Sequence, residues 1–287
     1  MWRMTTVLSI QSSVAYGHVG NSAATFPLMR LGVEVWPVLT VHFSNHTGYG
    51  QWRGPLLAAE DVAEVIRGID ERGVLPRVSA VLSGYQGAEA VGGVVVDAVA
   101  LVKSRNPDAL YCCDPVMGDV GRGMYVRPGV PEFMRERVVP EADIVTPNHF
   151  ELDFLTGRTT TTLAEVLAAA DALRVIGPSV VVVTSVVLTD SDAASLTMLA
   201  VTEAGAWQVT TPRLERNFTG SGDLTAAVFL AHFLRTRDAG EALGHTADAV
   251  YSVLRATTDA DASELQLVAA QDEIVRPTHH FPVVRVR

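Results

Sequence analysis

Apolar, β-branched runs alternate along this chain with stretches whose apolar residues recur at helical spacing. The short apolar runs predict strands at 5–11, 33–41, 78–85, 109–116, 142–147, 179–188, 195–202 and 207–212. The helical spacing predicts helices near 20–31, 59–72, 88–104, 149–156, 163–176, 222–235, 241–257 and 265–274. Such alternation builds an α/β fold, a mostly parallel sheet with helices on both faces. The consecutive strands of 180–212, joined by short links, predict an antiparallel meander at one edge. No repeat and no Pro/Gly/Ser-rich linker divides the chain, so the expectation is one domain over 1–287. The polar bridge TTTT (159–162) ends by starting a helix.

Open sheets of this kind bind ligands beyond the carboxyl ends of their strands. The segments at those ends are SSVAYGHVGNSAA, HFSNHTGYGQW, SGYQG, DPVMGDVGRG, TPNHFE, Thr184–Ser185 and, last, TGSGD. They are rich in Gly, Ser, Thr, Asn, Asp and His, whereas the strand interiors are not. Polar groups therefore gather along one rim, which is the geometry of a site.

Composition narrows the chemistry. Hydrophobic residues make up 48% of the chain and charged ones 19%, enough apolar material for a core and too little charge for disorder. A net charge of −10 argues against nucleic acid or an anionic membrane as the main partner. A small anion remains compatible with it, because a few local donors can hold one. The two cysteines, Cys112 and Cys113, are adjacent in an apolar run, which excludes a disulfide framework and a Cys-based zinc site. With no signal-like start and no apolar run of roughly 18 residues, the expected location is the cytoplasm. The one lysine, Lys103, follows a helix pattern and not a glycine-rich turn, so any ATP chemistry here does not use a P-loop.

Four constellations carry candidate chemistry, and each has a plainer reading. In TGSGD (219–223), backbone amides at a helix start suit an anion, and Asp223 would sit beside whatever attacks it. Ordinary capping by Ser221 or Asp223 uses the same residues. The helix that follows is apolar almost all round, which predicts burial and makes a carboxylate at its start less routine. In TPNHFE (146–151), Asn148 and Glu151 read either as a capping box or as a phosphate and cation site. Asp114 and Asp119 flank PVMG; hard carboxylates suit Mg²⁺, and turn formation before Pro115 suits the same residues. GDVGRG resembles a dinucleotide fingerprint only superficially, because no long helix pattern follows it. The loop HFSNHTGYGQW suits a flat aromatic ligand, or is a surface loop with stray aromatics. His279 and His280 are expected to be solvated.

Taken together, GSGD, the Asn-x-x-Glu pair, the lack of a P-loop and the alternating architecture resemble the ribokinase superfamily. SIQSSVAYGHVGNSAATFPLMRLG, FSNHTGYGQW, LSGY, CDPVMGD, MYVRPG and ELQLVAAQDEI narrow the resemblance to the pyridoxal kinases, in the right order across nearly the whole chain. The resemblance implies a ribokinase-like three-layer sandwich that transfers the γ-phosphoryl group of ATP to the 5′-hydroxymethyl of pyridoxal, and of pyridoxine or pyridoxamine. It implies Asp223 as proton acceptor and Gly220, Ser221 and Gly222 as the anion hole. Ser12, His46, Thr47 and Tyr85 would line the vitamin pocket, with Val19, Val41 and Phe43 on the ring. Asp114, Asp119, Tyr125, Thr146, Asn148, Glu151, Thr184, Ser185, Gly220 and Gly222 would serve ATP. Asp114 and Glu151 would hold a metal, mainly through water. Mg²⁺ with ATP, stimulation by K⁺, and a homodimer are implied as well.

Two positions depart from the family pattern. Met124 stands where some bacterial relatives carry a cysteine able to react with the aldehyde, and Ser13 stands where a histidine is common. The first puts thiol capture of pyridoxal in doubt, the second the discrimination among vitamers. A hydroxymethylpyrimidine kinase of the same fold, or a non-catalytic carrier of the vitamin or its phosphate, are the alternatives.

Overall fold

The structure is a computed structural model that describes residues 5–189 and 191–287. Strands β1 (Thr6–Val14), β2 (Glu34–Phe43), β3 (Ala80–Ser83) and β4 (Leu110–Cys113) follow the first four apolar runs. Between them come helices α1 (Asn21–Arg30), α2 (Ala59–Glu71) and α3 (Glu89–Arg105). A short hairpin follows, β5 (Gly118–Asp119) and β6 (Gly123–Met124), then the single turn α4 (Val130–Phe133). Next are β7 (Ile144–Val145), α5 (His149–Thr156), α6 (Leu163–Val175) and β8 (Val180–Val186). The chain closes with β9 (Ser195–Thr202), β10 (Gly205–Pro212), α7 (Ser221–Thr236), α8 (Ala239–Asp259), α9 (Gln271–Val275) and β11 (Val283–Arg285).

The described residues form a nine-stranded sheet in the order β11-β10-β9-β8-β7-β4-β3-β1-β2. Every pair from β2 to β8 is parallel, and β8 to β11 are antiparallel. The expected parallel sheet with an antiparallel edge is thus present. Alternate strand residues serve opposite faces: Leu8, Val81, Tyr111, Val145 and Val181 join α2, α3, α5 and α6, whereas Val7, Leu82, Cys112, Ile144 and Val182 join α1, α7 and α8. Both faces being covered explains why the strands read as continuous apolar runs. Helix α7 is buried from Leu224 to His232 without a break, because the sheet packs on one side and α8 with the 265–274 segment on the other.

The parallel strands place six carboxyl ends on one rim. Strand β1 has β2 on one flank and β3 on the other, so the strand order reverses there, which is where open sheets of this kind have their ligand crevice. A register shift between Gln11 and Ser13 bends β1 at that point.

Several expectations need correcting. The helix expected over 265–274 is only Gln271–Val275. Leu265 and Leu267, two residues apart, are both fully packed, a spacing that one helical face does not bury. The strand expected over 142–147 shrinks to Ile144–Val145. Strand β11, which pairs with β10, was not foreseen, because VVR is too short to announce itself. His279 is only partly solvated: it packs edge-on against Tyr251 and lies 3.1 Å from Ser252 Oγ. His280 is exposed but contacts Asp248 at 2.8 Å. No helix among the described residues is long and apolar enough to cross a membrane.

Candidate active site

Helix α7 starts at the rim. Gly220 precedes it in the left-handed region, at φ 88°, and leans so closely on the carbonyl of His18 that a Cβ would overlap it. Only glycine meets both demands. Ser221 does not cap the helix; its hydroxyl donates to the Phe218 carbonyl at 2.8 Å. No side chain caps α7 at Gly220, so its N-terminal dipole is available to an anion.

Asp223 faces the same opening. Its carboxyl accepts from the Gly20 amide and from its own N–H, but the surrounding protein dominates and pushes its pKa up to about 6. The residue as a whole is half-buried. Gly84, just past β3, makes room for the Gln11 side chain beside it: a Cβ there would collide with Gln11 and stand in ordinary contact, 3.5 Å, with Asp223 Oδ1.

A second group of acids converges from β4, β7 and α5. Thr146 donates its hydroxyl to Asp114 Oδ1 at 2.9 Å. Asp114 Oδ2 lies 3.8 Å from where a Gly222 Cβ would be, which sets this carboxylate against the start of α7. Burial first, then repulsion from Asp223 and Glu151, holds the Asp114 carboxyl well above the ordinary range. Glu151 is raised to about 7 by burial, against the pull of three amides. Those amides are Met117 (2.8 Å) and Gly118 (3.4 Å) on Oε1 and Asn148 (3.0 Å) on Oε2. The Asn148 side chain accepts from the Glu151 amide at 2.9 Å and donates to the Gly118 carbonyl at 2.8 Å. The capping box therefore forms in full, and it also grips the root of the β5–β6 hairpin.

The remaining phosphate-side candidates ring this group. Asp119 turns the hairpin by accepting the Val120 amide at 2.7 Å. Tyr125 lies within the field of Glu151, Asp114, Asp223 and Asp119; burial first and these charges next raise its phenol. Thr184 bridges to Asn148, and its amide donates to the Pro147 carbonyl at 2.9 Å. Ser185 follows at φ 52°, where β8 loses register between Val183 and Val186. A non-glycine residue there is uncommon and points to a functional constraint.

A metal site was tested on these donors. The three buried carboxylates are hard ligands whose charges no lysine or arginine neutralises by an ion pair among the described residues. Asp114 Oδ2 accepts no protein hydrogen bond among them, and Glu151 Oε2, which takes a single amide, has lone-pair capacity left. No set of three His, Cys, Asp or Glu among the described residues makes a closed cage. The arrangement fits a hydrated Mg²⁺ that keeps most of its waters.

The vitamin-side candidates lie across the crevice. Ser12 is buried against Gly20, and Val41 bridges to Leu56 beneath Gly87. Burial raises the Tyr85 phenol, whose backbone carbonyl accepts from Thr40. Phe43 packs near Trp52, and His46 packs at a tilt against Tyr49, with ring centroids 4.5 Å apart. Val19 is half-buried and Thr47 exposed; neither makes a side-chain hydrogen bond with the other candidates. Sequence reasoning missed Gly20, Gly84, Gln11 and, farther away, Glu264. The glycines had signals in SGYQG and GHVGN; Glu264 opens the segment ELQLVAAQDEI, but nothing there names its partners, which are more than two hundred residues distant.

The family model described as phosphomethylpyrimidine kinase matches residues 64–267. Pyridoxal kinase PdxY of Rubrobacter xylanophilus is 59% identical over 98% of this chain and 97% of its own length. Pyridoxal kinase PdxY of Leifsonia xyli is 56% identical over 98% and 99%. Among solved structures, pyridoxal kinase from Leishmania donovani in complex with ADP and ginkgotoxin superposes with a TM-score of 0.92 at 32% identity, covering 99% of this chain and 100% of that one. The same enzyme with ADP and pyridoxine gives 0.91 at 31%, covering 98% and 99%. Coming from full-length relatives and from the fold alike, this agreement places the chain in the pyridoxal kinase family.

Proposed function

We propose that this chain transfers the γ-phosphoryl group of ATP to the 5′-hydroxymethyl of pyridoxal, giving pyridoxal 5′-phosphate, with pyridoxine and pyridoxamine as further acceptors. The observation that carries this reading is the buried Asp223 carboxylate beside an uncapped helix N-terminus, between a crevice of aromatic and small polar residues and a cluster of acids. The relatives' names point to the same reaction.

In this reading the ring lies against Val19, Val41 and Phe43, with Ser12, His46, Thr47 and Tyr85 on its polar edge. The hydroxymethyl then faces Asp223 across the gap that Gly84 leaves open. An alcohol is a weak acid, so Asp223 need not ionise it first; its carboxylate oxygen takes the proton as the bond to phosphorus forms. The Gly220–Gly222 amides and the α7 dipole stabilise charge on the transferring group. Asp119, Tyr125, Thr146, Asn148, Thr184 and Ser185 hold the nucleotide's phosphate side. Asp114 and Glu151 would hold Mg²⁺ through water, and the ion would neutralise phosphate charge. Stimulation by K⁺, a homodimer, a cytoplasmic location and a single domain over 1–287 belong to the same proposal.

The test is turnover of pyridoxal, pyridoxine, pyridoxamine and hydroxymethylpyrimidine with Mg-ATP in K⁺ and in Na⁺. Pyridoxal is expected to give the highest kcat/KM. The match to the phosphomethylpyrimidine kinase model keeps the pyrimidine as a second reading. A higher kcat/KM for hydroxymethylpyrimidine would replace the first reading with the second. Binding of vitamin and ATP without turnover of any of the four would make the chain a carrier.

A further inference from the structure

Glu264 belongs to none of the constellations above. It lies in the turn after α8, and its side chain is only 10% exposed. Enclosing a carboxylate is costly unless it is well paired, and the partners here come from two separate loops. Oε2 accepts the His18 amide at 3.1 Å. Oε1 accepts the Tyr49 hydroxyl at 2.6 Å and stands 3.3 Å from His46 Nε2. Gly17 touches the carboxyl so closely, at φ 91°, that any side chain there would run into it.

The held turn bears on the chemistry at its far side. The carbonyl of His18 lies over Gly220, and two residues on, the Gly20 amide donates to Asp223. One carboxylate thus grips the loop carrying His46 and Thr47 and the turn that supports both the anion site and the base. The segment bearing Glu264 does not need this side chain to stay in place. Leu265 and Leu267 are buried, Gln266 donates its amide to Thr257 Oγ1 at 3.0 Å, and Gln266 Nε2 donates to the backbone carbonyl of Glu264 at 3.1 Å.

We infer that Glu264 is a positioning residue: without touching substrate, it ties the 15–20 and 44–52 loops into one wall of the vitamin site and aligns that wall with Gly220 and Asp223. The inference rests on the reading that these loops face the vitamin.

The test compares Glu264→Ala, Glu264→Gln and Tyr49→Phe in the full chain, by hydrogen exchange and by kinetics. Glu264→Ala is expected to speed exchange in 15–20 and 44–52 while leaving 265–275 as in the parent. It should lower kcat/KM for pyridoxal roughly 10- to 100-fold, the loss typical of hydrogen bonds to a buried charge, with the KM for ATP within about twofold. Gln keeps a single acceptor oxygen, so it should fall between Ala and the parent. Tyr49→Phe should add little in the Ala background, because the two share one contact. Unchanged exchange in both loops would overturn the inference. So would a kcat/KM for pyridoxal within twofold of the parent, or a matching rise in the KM for ATP. If the parent itself phosphorylates no vitamer, the functional reading fails, while the exchange comparison still decides whether Glu264 is the tether.

Discussion

Asp223 has two requirements that pull in opposite directions. As the proposed proton acceptor it must be enclosed to meet the acceptor alcohol without competing water, yet ionised to take a proton. The Gly20 amide and its own N–H favour the charged form, burial opposes it, and the balance is a carboxyl at about 6, which is ionised at neutral pH and a better base than an exposed aspartate. Replacing it with asparagine keeps the size and removes the acceptor. Asp223→Asn should lower kcat by about 10² to 10⁴, with vitamin affinity changed little. In the parent enzyme, kcat/KM should rise with pH around a midpoint near 6, because only the deprotonated carboxyl serves as acceptor. The same limb persisting in Asp223→Asn would assign it to another group. The neighbouring Gly84 matters for a steric reason. Gly84→Ala would press a methyl between Gln11 and Asp223, and should lower kcat more than it lowers stability, as assay and melting of one preparation would show.

At the level of elements, capping and function turn out not to be rivals at α5. Asn148 and Glu151 complete a capping box, and the same carboxylate takes the Met117 and Gly118 amides that root the β5–β6 hairpin. Glu151→Ala would strip a cap, worth about 1 kcal/mol, and leave backbone amides unpaired beside a buried void. Exchange should quicken across 116–125 and the KM for ATP should rise, with pyridoxal affinity nearly unchanged. Equal effects on both substrates would mean the hairpin does not serve the nucleotide side alone. The sheet was legible in the sequence because doubly covered strands must be apolar throughout, and the rim was legible because polar residues follow each of them. What stayed hidden was set by tertiary contacts. The run from 265 to 274 looked helical, but burying both Leu265 and Leu267 straightened its first half. Glu264 opens a segment that carries the family resemblance, but its contacts could not be read, since nothing near it in sequence announces Tyr49 or His18. The box at Asn148 and Glu151 was visible as a pattern, but its second duty depended on where the hairpin came to rest.

For the whole molecule, the parallel strands deliver acids from three different segments to one rim, and folding must work against their repulsion. Asp114, Glu151 and Asp223 all have folded pKa values above their unfolded ones, so over the interval between the two the folded state binds more protons than the unfolded. Stability then falls as pH rises through that interval. For Glu151, moved from 4.5 to about 7, the penalty above neutrality is on the order of 3 kcal/mol. His232 acts in the opposite sense. Burial holds it down to about 3, so below its ordinary value of 6.5 the unfolded chain gains a proton that the folded one refuses. The acids are therefore read most cleanly between about pH 8 and 7, where His232 is largely neutral in both states. Without nucleotide, the melting temperature should rise as pH is lowered across this span. Asp114→Asn, which removes a buried charge while keeping its shape, should raise the melting temperature at pH 8 and flatten the slope. Millimolar Mg²⁺ should do the same for the parent and much less for the variant, because the ion and the substitution relieve the same repulsion. A parent whose stability is flat or rising from pH 7 to 8 would mean that Asp114 and Glu151 are already neutralised, and that the rim does not hold the charge on which the proposed phosphate and cation binding depends.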